Sequence, residues 1–145
     1  MAQKAISTII VFFMVMAVAS VTVALPVSAQ TVSVEIVKAW PQWRRYKLSE
    51  HPYQILYAKA KNIGTEPVYI KVKFCVVWVD GAETVEYWSY ELELLPSPPT
   101  AKLGLILMPG PCGRYTVTAT LWYKAAGALD YIQNGWKWFS FVVVE

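Results

Sequence analysis

The chain has 145 residues, a formal net charge of +3, a hydrophobic share of 56% and an aromatic share of 14%. That length is one domain with a leader in front of it. So small a charge excess predicts no nucleic-acid footprint and no polybasic membrane patch.

Ala5 to Ala29 carries no charge, and Lys4 alone precedes it. As a helix at about 1.5 Å per residue, such a run crosses a hydrocarbon core of about 30 Å with its own backbone groups satisfied. Three fates are open to it. As a Sec signal peptide, Lys4 is the positive start, Ile9–Ala24 the apolar core and Val27-Ser28-Ala29 the small-residue cleavage site. Cleavage after Ala29 leaves Gln30 first. As a retained anchor, residues 5–27 stay in the membrane with Lys4 on the cytoplasmic side. The third fate comes from Lys4-Ala5-Ile6-Ser7 followed by an apolar helix, which resembles the class III leader of archaeal type IV pilins. That resemblance implies a cut after Ala5 and a helix from Ile6 that packs with its copies in a filament core. All three place a domain of residues 30–145 outside the cytoplasm, at the cell surface or free of it, with residues 1–29 as a separate segment.

Beyond Gln30 the pattern is alternation rather than helical period. Thr31–Lys38 alternates with Val32, Val34 and Ile36 on one face, and Trp40-Pro41 ends the run. In Tyr53–Lys61, Leu56, Ala58 and Ala60 oppose Tyr57, Lys59 and Lys61. Asn62–Pro67 reads as a turn. Val68–Val79 is the clearest strand, with Val68, Ile70, Val72, Phe74, Val76 and Trp78 on one face and Tyr69, Lys71 and Lys73 on the other. Asp80-Gly81 is a hairpin signal. Glu83–Leu95 reads as one strand with Trp88, Tyr90, Leu92 and Leu94 together and Glu91 and Glu93 opposite. Leu103, Leu105 and Leu107 alternate. Arg114–Tyr123 turns Tyr115, Val117, Ala119 and Leu121 inward, Lys124–Gly135 is a long connection, and Trp136–Val144 is the last strand. About seven short strands with turn signals between them predict an all-β, antiparallel two-layer sandwich.

Two turns carry a family resemblance. Asn62-Ile63-Gly64-Thr65-Glu66-Pro67-Val68 and Pro109-Gly110-Pro111-Cys112-Gly113-Arg114-Tyr115-Thr116-Val117 resemble turns of the CARDB and fibronectin-III-like group of immunoglobulin-like sandwiches. The first resembles the "Gly-Thr-x-Pro" turn between early strands, the second the "Pro-Gly-x-Tyr-x-Val" corner before the penultimate strand. The resemblance implies an immunoglobulin-like fold for residues 31–145. It also implies that the Tyr115 hydroxyl bonds a nearby backbone group.

Candidate chemistry is sparse. His51 is the one histidine and precedes Pro52 in a polar loop. No second histidine or close cysteine pair offers a zinc site, and no Gly-rich phosphate loop follows a strand. Glu91 and Glu93 are a carboxylate pair at most on a solvated face. The expectation is a protein that is not an enzyme, with no metal and no cofactor.

Cys75 falls on the Lys71/Lys73 face and Cys112, by parity, on the Arg114/Thr116 face. In an immunoglobulin-like layout those strands are antiparallel neighbours. A Cys75–Cys112 disulfide is therefore expected, suited to an exported protein and worth roughly 4 kcal/mol by loop entropy. Two unpaired thiols are the other reading.

The aromatics form two groups. Trp40, Trp43, Arg44, Arg45 and Tyr46 lie in a connection, and Trp136 and Trp138 flank Lys137 on the polar side of the last strand. Exposed, they form a platform for sugar rings or for another protein; otherwise they cap a small core. The sequence thus points to a non-catalytic exported cell-surface protein with a structural or adhesive role. One version self-assembles into filaments, with Val32, Val34 and Ile36 as a donor strand for a neighbour. The other is a module that binds glycan or an envelope protein through its surface aromatics. Neither involves nucleic acid.

Overall fold

A computed structural model describes residues 31–96 and 100–145. The leader and its proposed processing sites, Ala5, Ile6, Ala29 and Gln30, lie outside the described residues. Nine strands follow one another: β1 (Val34–Pro41), β2 (Arg45–Lys47), β3 (Gln54–Asn62), β4 (Val68–Trp78), β5 (Glu83–Trp88), β6 (Leu92–Leu94), β7 (Thr100–Leu107), β8 (Gly113–Ala125) and β9 (Ile132–Val144). They form a three-stranded sheet ordered β1-β3-β7 and a six-stranded sheet ordered β2-β9-β8-β4-β5, with β6 also on β4. The chain passes back and forth between the sheets, with β4–β6 and β8–β9 running consecutively in the larger one, as in an immunoglobulin-like sandwich. Every pairing is antiparallel except β2 on β9.

The alternation expected from sequence sets the inner faces. Leu56, Ala58, Ala60 and Leu103 from the small sheet are fully buried. So are Val68, Ile70, Val72, Phe74, Val117, Ala119 and Leu121 from the large one. Burying a side chain of Val, Leu or Phe size contributes about 1.5–3 kcal/mol, so this layer holds the sheets together. Val34 and Ile36 join it at 2% and 7% exposure, and β1 pairs along β3. The first strand completes its own sandwich. Val32, 37% exposed, lies before it.

Three departures from simple alternation shape the surface. The first is a bulge in β1 between Ile36 and Lys38. One extra residue reverses the faces, so Lys38 and Trp40 point outward and Pro41 is buried. Trp40-Pro41 therefore belongs to the strand and not to a connection. The second is Ser89. Its hydroxyl accepts from the Val72 N–H at 2.9 Å and donates to the Tyr90 carbonyl, replacing a ladder bond. The register then shifts by one residue between β5 and β6. Glu83–Leu95 is thus two strands, and Trp88 sits outward opposite Lys73 while Leu94 is buried. The third is Gly135, at φ +84, beside a register shift between β8 and β9. It lets β9 start at Ile132, inside the expected connection.

The corner before β8 takes the form that the resemblance implied. The Tyr115 hydroxyl donates to the Pro111 carbonyl at 2.8 Å. Gly113 sits at φ +130, and a Cβ there would lie 2.1 Å from Asp80 Oδ2, which accepts from the Arg114 N–H at 3.0 Å. Only glycine fits that position.

The expected disulfide is absent, and both Cys75 and Cys112 are free thiols. Cys75 takes the outer face expected of it, but Cys112 lies before the strand and has no partner position on β4. Cys75 is opposite Thr118, whereas Cys112 precedes β8 and its carbonyl accepts from Trp78 Nε1. The six residues from 112 to 118 set the cysteines roughly 20 Å apart at about 3.3 Å per residue, and a bridge needs Cα atoms within about 7 Å.

Candidate functional site

The outer face of the six-stranded sheet is built from the residues that alternate with the core. Cross-strand register sets them in rows. One row runs Glu86, Cys75, Thr118, Trp138, and the next runs Trp88, Lys73, Thr120, Trp136. Below them, Lys71 lies opposite Trp122, and Trp122 opposite Gln133. Trp88, Trp136 and Trp138 are 45%, 58% and 63% exposed. Trp88 meets Trp122 edge-on at 5.7 Å.

Lysines thread this aromatic surface. Lys71 Nζ sits 4.3 Å from the Trp88 ring centre and 4.1 Å from that of Tyr131, where ring quadrupoles attract a cation. Lys73 pairs with Glu86 at 3.7 Å. The Tyr131 hydroxyl donates to Glu91, and burial followed by that carboxylate pushes the phenol pKa well up. Trp122 Nε1 is buried with no hydrogen-bond partner. A donor left so costs about 1–3 kcal/mol.

The connection between β1 and β2 is pinned from below. The buried Gln54 amide accepts from the Trp43 N–H at 3.0 Å and donates to the Trp43 carbonyl at 2.7 Å. Trp43 then stacks on His51 at 4.1 Å and 8°. His51 is half-buried, and its carbonyl accepts from the Tyr46 hydroxyl at 2.7 Å. Tyr46 is only 2% exposed, so it is a core residue and not part of a surface platform. Arg45 is exposed, in register with Val142 of β9.

The structure brings three of the expected residues together. Trp40, Arg44 and Trp138 line a cleft of 320 Å³ where β1 runs beside β9, along with Lys38 and Ser140. That volume lies at the lower end of ligand pockets. Trp136 lines a neighbouring cleft of 410 Å³ with Val34–Val37 and Asn134, whose amide donates to the Val34 carbonyl. Trp43 lines neither. Sequence reading passed over Trp88, Trp122 and Tyr131. The tryptophan content was visible, but the Ser89 register shift that turns Trp88 outward was not.

No protein-family model matches the sequence. No curated protein sequence matches it. Solved structures do. The CARDB domain of a Pyrococcus furiosus protein, solved in complex with di-metal ions, is similar over 81% of this chain and 90% of that one, at 18% identity and a TM-score of 0.50. A β-glucosidase of Erythrobacter marinus is similar over 78% of this chain at 8% identity and a TM-score of 0.51. This chain spans only 16% of that enzyme. Both likenesses show the fold. Among the described residues no group of three or more His, Cys, Asp or Glu side chains gathers as metal ligands would.

Proposed function

We propose that this chain is a non-catalytic, exported cell-surface protein with an adhesive role, and that it holds glycan on the aromatic surface around β9. The leader, Lys4 followed by an uncharged run from Ala5 to Ala29, supports export, and the CARDB-like sandwich fits a scaffold that presents a face. The observation that carries the reading is Trp138, which is 63% exposed on the outer face of the six-stranded sheet and lines one cleft with Trp40 and Arg44. Indole faces stack on the apolar faces of sugar rings, and a guanidinium beside them donates to ring hydroxyls or acidic groups. A tryptophan exposed on a β-strand gives up apolar burial, which an interface would recover.

The test is retention of the folded domain on a panel of insoluble polysaccharides, with Trp138→Ala and Arg44→Gln beside the parent. Retention on at least one polymer, lost in both variants at unchanged Tm, is the expected result. Equal retention of parent and variants removes this surface from the reading.

A further inference from the structure

The outer face of the three-stranded sheet carries a row that no single strand reveals. Register sets Lys38 of β1 opposite Lys59 of β3, and Lys59 opposite Lys102 of β7. Like charges directly opposite each other destabilise a sheet. Neither ion pair among the described residues, Lys47–Glu50 or Lys73–Glu86, includes a lysine of this row, and the carboxylate on this face of β1, Glu35, stands in the next row opposite Lys61. The adjacent row is Trp40, Tyr57 and Gly104. Trp40 stacks on Tyr57 at 5.3 Å, with Lys38 over the indole at 5.2 Å and Lys102 over the phenol at 4.7 Å.

Lys38 and Trp40 also line the cleft that holds Arg44 and Trp138, and no Asp or Glu is among the residues lining it. An unbalanced cationic row thus runs into an aromatic cleft that itself holds two cations. From the glycan reading above, on which this rests, we infer that the ligand is an acidic polysaccharide. Its sugar rings lie on Trp40 and Trp138, and its carboxylates meet Arg44, Lys38, Lys59 and Lys102. Adjacent strands stand about 4.8 Å apart, close to the length of one pyranose residue, so a uronate chain crossing the strands offers repeated charges at a matching interval. Repulsion within the free row falls when such a polyanion binds.

The probes are polygalacturonate, its fully methyl-esterified form and a single-stranded oligo-dT, each titrated at low and high salt. Polygalacturonate should bind at least about tenfold more tightly than the ester at low salt, and the gap should close at high salt. The double variant Lys59→Gln/Lys102→Gln should lose that preference with its Tm unchanged or raised, because a repulsive pair is gone. Trp138→Ala should weaken binding of both polymers. Equal binding of polygalacturonate and ester, or a double variant that keeps the preference, overturns the acidic selection and leaves the glycan reading standing. Binding of neither polymer overturns the acidic selection, and lysine-dependent binding to which Trp138→Ala is indifferent overturns the glycan reading itself. Tighter binding of oligo-dT through the same lysines overturns the polysaccharide as occupant.

Discussion

The Tyr115 hydroxyl ties itself to the Pro111 carbonyl at 2.8 Å, four residues upstream, so the chain entering β8 is closed into a loop by one side chain. The Tyr115 ring stacks on Phe141 of β9 at 5.1 Å and 6°. Tyr115→Phe keeps the stack and removes the bond. It should cost about 0.5–1.5 kcal/mol, read as a lower urea midpoint at unchanged m-value. A larger loss would mean that the corner depends on more than this bond.

Alkaline stability should depend on two phenols. Burial pushes the pKa of Tyr115 up, and burial and Glu91 push that of Tyr131 up. The unfolded chain releases these protons near pH 10 while the folded chain still holds them. Stability is therefore full below about pH 10 and falls as pH rises above it. Urea midpoints at pH 9 and pH 11 should fall less steeply in Tyr115→Phe/Tyr131→Phe than in the parent.

Asn62 is fully buried, and its amide makes three bonds. It donates to the Glu66 carbonyl at 2.7 Å and to the Leu94 carbonyl at 3.0 Å, and accepts from the Gly64 N–H at 2.9 Å. It therefore fastens the β3–β4 turn to β6. Asn62→Ala removes the donor to the Glu66 and Leu94 carbonyls, while the Gly64 N–H keeps the Ser33 carbonyl at 3.1 Å, and it should cost about 2–3 kcal/mol. Chemical denaturation measures it.

The aromatics should divide by exposure. Trp138→Ala and Trp136→Ala should each change stability by less than about 1 kcal/mol, since both rings face solvent. Tyr46→Ala should cost about 3–5 kcal/mol, since it empties a core site and frees the His51 carbonyl. Thermal and urea melts of the three variants decide this.

Both thiols should react with an alkylating reagent without reductant, Cys112 faster because it is exposed and Cys75 is half-buried. Reductant should leave Tm unchanged. A protected pair would restore the disulfide.

Alternation along Val68–Trp78 and Arg114–Tyr123 was enough to say which side chains fill the core, because a strand's period of two is a local property. The Asn62–Val68 and Pro109–Val117 stretches announced the two turns for the same reason, since the demands of a tight turn are met by residues within it. The sequence alone could not place Lys38. By alternation it shares a face with Ile36, and only the β1 bulge, fixed by pairing with β3, turns it outward toward Lys59. Nor could it place Trp88, whose face depends on the Ser89 hydroxyl capturing an N–H of β4. Cys75 and Cys112 are on neighbouring strands or their ends but at the wrong distance. In each case the deciding contact is register between strands, β1 with β3, β4 with β5 or β4 with β8. A one-residue slip reverses a face, and the slip is set by backbone groups that every residue shares.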